Sequence, residues 1–246
     1  MVLAAARTGP VGGRRLCPVS LADRPAWVVR RLGGMAAFMK VYDIFLTFFV
    51  VVDPIGLVPL FGALTVGASR EYRRRMAVKG VLIAAFVLLF FAISGFALLR
   101  VLGIGLSAFR IAGGILLFLL AIDMVFARQS GLRSTTARET EEARGRNDIS
   151  VFPLGIPLIA GPGALTSLLL MLSAAHGRLA AIGLLLGILA LVLIITLTVL
   201  LSSSRILALM GETGANVVTR LLGVLLTALA VQYVLTGIRV GLLHGP

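Results

Sequence analysis

The chain has 246 residues, 59% of them hydrophobic and 13% charged, with a mean hydropathy of +1.06. A soluble domain of this size needs far more polar surface, so the composition leaves a polytopic helical membrane protein. The formal charge of +13 would suggest nucleic acid for a soluble protein; here it reads as a topology signal and as contact with anionic lipid headgroups, and nucleic acid is not expected as a partner. The single cysteine, Cys17, excludes an internal disulfide framework and a cysteine-rich metal site, and no cofactor is expected.

Residues 1–34 differ from the rest. They hold six arginines (Arg7, Arg14, Arg15, Arg24, Arg30, Arg31), one acid (Asp23) and the only Cys and Trp. The apolar run at residues 26–29 is too short for the core of a signal peptide. The stretch reads as a disordered basic extension or as the product of a start assigned upstream of Met35 or Met39. Residues 35–246 read as one transmembrane domain.

Six stretches qualify as spans: about 41–66, 80–102, 108–127, 151–174, 178–202 and 218–240. The first contains V-V-V-D-P-I-G-L-V-P-L-F, residues 50–61. Pro54 and Pro59 withdraw backbone donors and clash with the preceding turn, so the helix is expected to kink or break. Asp53 then falls near mid-membrane, where a carboxylate is costly and marks a functional site by default. As a transport group it would bind an ammonium or carry a proton, since burial raises a carboxyl pKa. As a structural group it would cap the helix that follows. Both readings stand at this point.

Basic residues favour the cytoplasm. The loops joining spans 1–2, 3–4 and 5–6 carry twelve, namely Arg70, Arg73, Arg74, Arg75, Lys79, Arg128, Arg133, Arg138, Arg144, Arg146, Arg205 and Arg220. The opposite side carries five after residue 34: Lys40, Arg100, Arg110, Arg178 and Arg239. Both termini are therefore expected outside a bacterial plasma membrane. Counting the arginines of residues 1–34 cancels the bias, which favours the later start. The loop 128–150 mixes five arginines with Glu139, Glu141, Glu142 and Asp148, and reads as a solvated cytoplasmic linker.

The two halves repeat. Pro54 recurs as Pro162 and Gly103 as Gly211, both at an offset of 108, and Arg110 recurs as Arg220 at 110. Three spans is an odd number, so the second copy enters the membrane from the other side. The expected fold is all-α: six transmembrane helices as two inverted three-helix repeats, about 41–127 and 151–240, the build of many secondary transporters. The second copy is broken too. Residues 152–166 carry Pro153, Pro157 and Pro162 with Gly155, Gly161 and Gly163, and are not expected to run as one straight helix.

The motifs D-P-I-G-L-V-P (residues 53–59), R-I-A-G-G-I-L-L-F (110–118) and P-L-G-I-P-L-I-A-G-P-G-A (153–164) resemble the MarC family of bacterial integral membrane proteins. The resemblance covers about residues 36–241. It implies kinship with six-span LysE-type exporters and a transporter role, some relatives being regarded as carriers of small neutral amino acids. It carries Asp53, Pro54, Gly56, Pro59, Gly161, Pro162 and Gly163 as the motif core.

If half-helices start after Asp53 and Gly161, their free N–H groups and positive dipole ends suit an anion. A substrate carboxylate near Gly161–Gly163, with its ammonium toward Asp53, is the expected pose. Thr166 and Gln232 are candidates for a polar path, and Asp123 for a proton path. Asp43, Arg110 and Arg220 sit at span ends and read as interfacial groups. His176 and His244 also lie at span ends, with no H-E-x-x-H, so an intramembrane enzyme is not expected. The expected partners are membrane lipids, a small-molecule substrate and, compatibly, further copies of the chain. The alternatives are a passive channel and a membrane protein without flux.

Overall fold

The computed structural model describes residues 41–126, 148–175 and 177–243. Residues 1–34, nearly all of the loop 128–150, and His176 and His244 lie outside the described residues. What is described is all-helical. Five helices are long and apolar enough to cross a membrane, and a sixth span is counted when the bent pair around residue 160 is taken as one.

Helix α1 (41–52) stops where Asp53 turns into the left-handed region at φ 46° and Pro54 offers no N–H. Its last bond runs from Asp53 N–H to the Phe49 carbonyl, 2.9 Å. A turn over Pro54, Ile55 and Gly56 leads into α2 (Leu57–Leu64), so α1 and α2 form one interrupted span. Ser69 opens α3 (Arg70–Val101): its hydroxyl accepts the Tyr72 N–H at 3.2 Å, and Glu71 sits in the positively polarised first turn. At the far end Gly103 takes φ 67°, and the Ile104 N–H reaches back to the Leu99 carbonyl at 2.9 Å, the left-handed stop that glycine permits.

Helix α4 (Leu106–Phe126) is the third span. The fourth opens with a proline segment, Ser150–Ile159. Phe152 and Ile156 are extended, and the peptide bonds before Pro153 and Pro157 are cis. Wide turns close it, with Leu154 N–H on the Ile149 carbonyl and Ala160 N–H on the Gly155 carbonyl. After extended Gly161, Pro162 occupies the first position of α5 (Pro162–Ala174), where its missing donor costs nothing. The two parts meet at 52°. Helix α6 (Leu179–Leu201) is the fifth span. Helix α7 (Ser203–Leu243) breaks at Gly211 (φ 65°), and its spanning part is Thr213–Leu242.

The interrupted first span is the centre. Its apolar window is 56% buried, against 22% for α3 and for the last span, whose outer faces are left for lipid. Phe48, Val52, Leu57, Leu154 and Leu168, all fully buried, join α1, α2, the proline segment and α5 in one core. Glycines permit the close approach: α4 and α7 run antiparallel along a seam where a Cβ on Gly114 would meet the Ala230 carbonyl at 2.9 Å and one on Gly237 the Ser107 carbonyl at 3.1 Å. Lipid gives helices no hydrophobic reason to associate, so such backbone contact and side-chain packing carry the association.

Candidate functional site

Asp53 is fully buried, and its Oδ1 accepts the Gly56 N–H at 3.0 Å. The carboxylate therefore caps the turn into α2, giving the Gly56 N–H the acceptor that the break in the helix takes away. Gly56 has to be a glycine here: a Cβ would stand 2.1 Å from Asp53 Oδ2 and 2.8 Å from Thr219 Oγ1. That places the Thr219 hydroxyl of α7 beside the break; it is buried and has no hydrogen-bond partner among the described residues. Pro59 continues the first turn of α2.

The second break lies against the first. A Cβ on Gly163 would meet Val51 at 3.3 Å and Leu117 at 2.9 Å, and one on Gly161 the Pro157 carbonyl at 2.5 Å. Val51, Gly161, Pro162 and Gly163 border a void of about 10 Å³. That is room for about one water. In this conformation the start of α5 is closed, with no space for a substrate carboxylate.

The open space lies elsewhere. A cavity of about 590 Å³ sits between α1, α5, the start of α4 and the second half of α7. Successive spans run in opposite directions, so Asp43, Arg110, Ala174 and Thr236 all fall toward the same membrane face, and Asp43 is exposed at that end of the cavity. Val50 and Leu225 line it more deeply. Its wall is largely aliphatic, with the polar groups Asp43, Thr47, Arg110, Gln232, Tyr233 and Thr236. Thr47 donates to the Asp43 carbonyl at 2.8 Å, Thr236 to the Gln232 carbonyl at 2.7 Å, and Gln232 Nε2 reaches Thr236 Oγ1 at 3.4 Å. Arg110 lies within electrostatic reach of Tyr233, whose hydroxyl faces the buried Ser167.

Of the candidate residues, then, Gln232 lines this cavity. Asp53, Pro54, Gly56 and Pro59 form the first break, and Gly161, Pro162 and Gly163 the second. Thr166 is buried against Gly113, where a Cβ would stand 1.8 Å from its Cγ2. Asp123 is half-buried near the other end of α4. Asp43 and Arg110, read as interfacial groups from their position at span ends, turn out to face the cavity. The spacing Gln232, Tyr233, Thr236 is the signal that was available: three polar groups on one face of a membrane helix.

The opposite face is fastened by charge. Arg73 Nη2 donates to Ser203 Oγ at 3.0 Å, and its guanidinium carbon stands 5.9 Å from the Phe61 ring centre, joining α3, α2 and the α6–α7 turn. Lys79 pairs with Asp148 at 3.1 Å. The Ser150 hydroxyl and N–H, and then Lys79, hold the Asp148 carboxyl below the usual carboxylate range.

No solved structure matches the chain. Sequence comparison finds relatives over most of its length. A UPF0056 membrane protein of Methanocaldococcus jannaschii is 39% identical over 199 residues, covering 81% of this chain and 96% of the relative. YvbG of Bacillus subtilis is 36% identical, covering 82% and 95%. YhcE of Escherichia coli is 31% identical, covering 82% and 93%. The family pattern described as "MarC family integral membrane protein" matches residues 38–242, the span that holds both breaks and the cavity, and the chain belongs to that family.

Proposed function

We propose that the protein is a secondary transporter of small neutral amino acids or similar small metabolites in the bacterial plasma membrane, a carrier rather than an enzyme. The observation that supports this most is the cavity: about 590 Å³, open at one membrane face, with an acid and a base on its wall. Its volume is that of a small-molecule site, and it ends at two interrupted spans that touch through Val51 and Gly163. Broken spans meeting at mid-membrane belong to the inverted-repeat carriers.

Three pairings support the inverted repeat. Pro54 and Pro162 each follow a break, Gly103 and Gly211 both take left-handed backbone, and Arg110 and Arg220 lie on α4 and α7, the two helices of the antiparallel seam. With the twelve basic loop residues cytoplasmic, both termini and the cavity mouth face outward. The closed second break argues against a passive channel. Asp53, buried at the centre, is the group placed to take a proton if transport is coupled.

The test is flux of labelled glycine, alanine and serine in proteoliposomes, with and without an imposed pH gradient, comparing the full chain with Asp53→Asn. Uptake that follows the gradient and is lost in Asp53→Asn supports a coupled carrier. Uptake indifferent to both leaves Asp53 as a cap. No flux of any of the three, from folded protein, overturns the reading.

A further inference from the structure

The cavity carries one full negative and one full positive charge, at Asp43 and Arg110. Among the described residues the ion pairs are Arg75 with Glu71 and Lys79 with Asp148, so Asp43 and Arg110 share a cavity without pairing to each other. They come from different spans. Asp43 is on α1, close to the mouth and exposed; Arg110 is on the first turns of α4 and half-buried. Around them stand neutral hydrogen-bonding groups, Thr47, Gln232, Tyr233 and Thr236, and otherwise aliphatic surface. Opposite charges that line one cavity without forming a salt bridge match a ligand that carries both signs.

We infer that the cavity is a zwitterion site in which Arg110 takes the anionic end of the ligand and Asp43 the ammonium. The inference rests on the transporter reading for its purpose and deepens it by assigning the two residues that select the substrate. Arg110 suits the anion: its planar fork offers parallel N–H donors to a carboxylate. The first turn of α4, whose free N–H groups carry partial positive charge, lies beside it. Asp43 suits the ammonium because an ionised carboxylate only accepts hydrogen bonds. A molecule bearing only one charge would make only one of the two charged contacts. The loss of one charged contact corresponds to roughly tenfold to a hundredfold in affinity.

The same chemistry occurs in two places, a free amino acid and the headgroup of a phosphatidylethanolamine. The experiment separates them. Equilibrium binding of labelled alanine is measured on the full chain in maltoside detergent, with unlabelled propionate, which lacks the ammonium, and ethylamine, which lacks the carboxylate, as competitors. Each should compete roughly tenfold to a hundredfold less well than unlabelled alanine. Asp43→Asn should weaken alanine by a similar factor and leave propionate unchanged. Arg110→Gln should weaken alanine and leave ethylamine unchanged, with Arg110→Lys retaining part of the alanine affinity.

The competitor arm needs no variant and so survives a folding defect in either. Alanine binding that neither substitution alters overturns the assignment and leaves the transporter reading in place. Equal competition by propionate or ethylamine does the same. Displacement of alanine by phosphatidylethanolamine but not by phosphatidylglycerol, with no alanine flux in vesicles, gives the site to lipid and overturns both.

Discussion

Asp53 sits where two requirements meet. The chain needs a left-handed residue to leave α1 and an acceptor for the Gly56 N–H to enter α2, and both are met by one short polar side chain. Asn satisfies the same two demands, since it tolerates left-handed backbone and accepts the same bond. Asp53→Asn is therefore expected to unfold within about 1 kcal/mol of the wild type, whereas Asp53→Ala loses the cap and strains the backbone, costing about 2–3 kcal/mol. Thermal unfolding in detergent checks the order; an Asn variant as unstable as the Ala variant would mean the negative charge itself holds the break. Gly56 offers a matched pair with Gly62. A methyl at Gly56 collides with Asp53 and Thr219, while at Gly62 the nearest atom is Leu207 Cδ2 at 3.6 Å. Gly56→Ala should be poorly folded and Gly62→Ala near normal by size-exclusion profile.

Among the elements, the antiparallel pair α4 and α7 depends on contact too close for side chains. Gly114→Leu and Gly237→Leu are expected to force the helices apart and cost several kcal/mol through overpacking. Gly183→Leu and Gly187→Leu on α6 have open space around them and should be tolerated. The start of the proline segment responds to pH. Asp148 is held below its ordinary pKa by Ser150 and Lys79, so its contribution to stability is complete above the unfolded carboxylate pKa of about 4. It is lost as pH falls through the lowered folded value. Asp148 and Lys79 are about half exposed, so the effect is modest, under about 1 kcal/mol. An acid titration of unfolding temperature should show a small step in the wild type that is missing in Asp148→Asn.

For the molecule as a whole, the accessible face can be read by labelling. In a Cys17→Ser background, cysteines placed at Thr47 or Thr236 should react with an impermeant thiol reagent from the cavity side only, and one placed at Val192 from neither side. Labelling from the side that also exposes Arg73 would reverse the assigned direction of the mouth.

How far the sequence reached differs between fold and site, for a physical reason. Hydropathy along the chain and the chemistry of proline are local properties, so the six spans and the breaks at Pro54 and Pro162 could be read directly. Which way a residue near a span end points depends on the neighbours of its helix. Arg110 facing headgroups and Arg110 facing a cavity have the same sequence around them. For the same reason Thr166, read as part of a polar path, is packed into the notch at Gly113, and Arg73, read as one of several loop cations, spans from Phe61 to Ser203.

The small void beside Gly161 has an electrical consequence. A cavity filled with water conducts the potential of the bath down to Val50, one residue from Val51 on the wall of that void. The insulating part of the protein is then what lies between the cavity floor and the opposite face, through the two breaks and the buried α2. The membrane voltage, worth about 2.3 kcal/mol per elementary charge at 100 mV, drops over that shortened path rather than over the full bilayer. A proton or ion moved past Asp53 toward the opposite face would experience most of it.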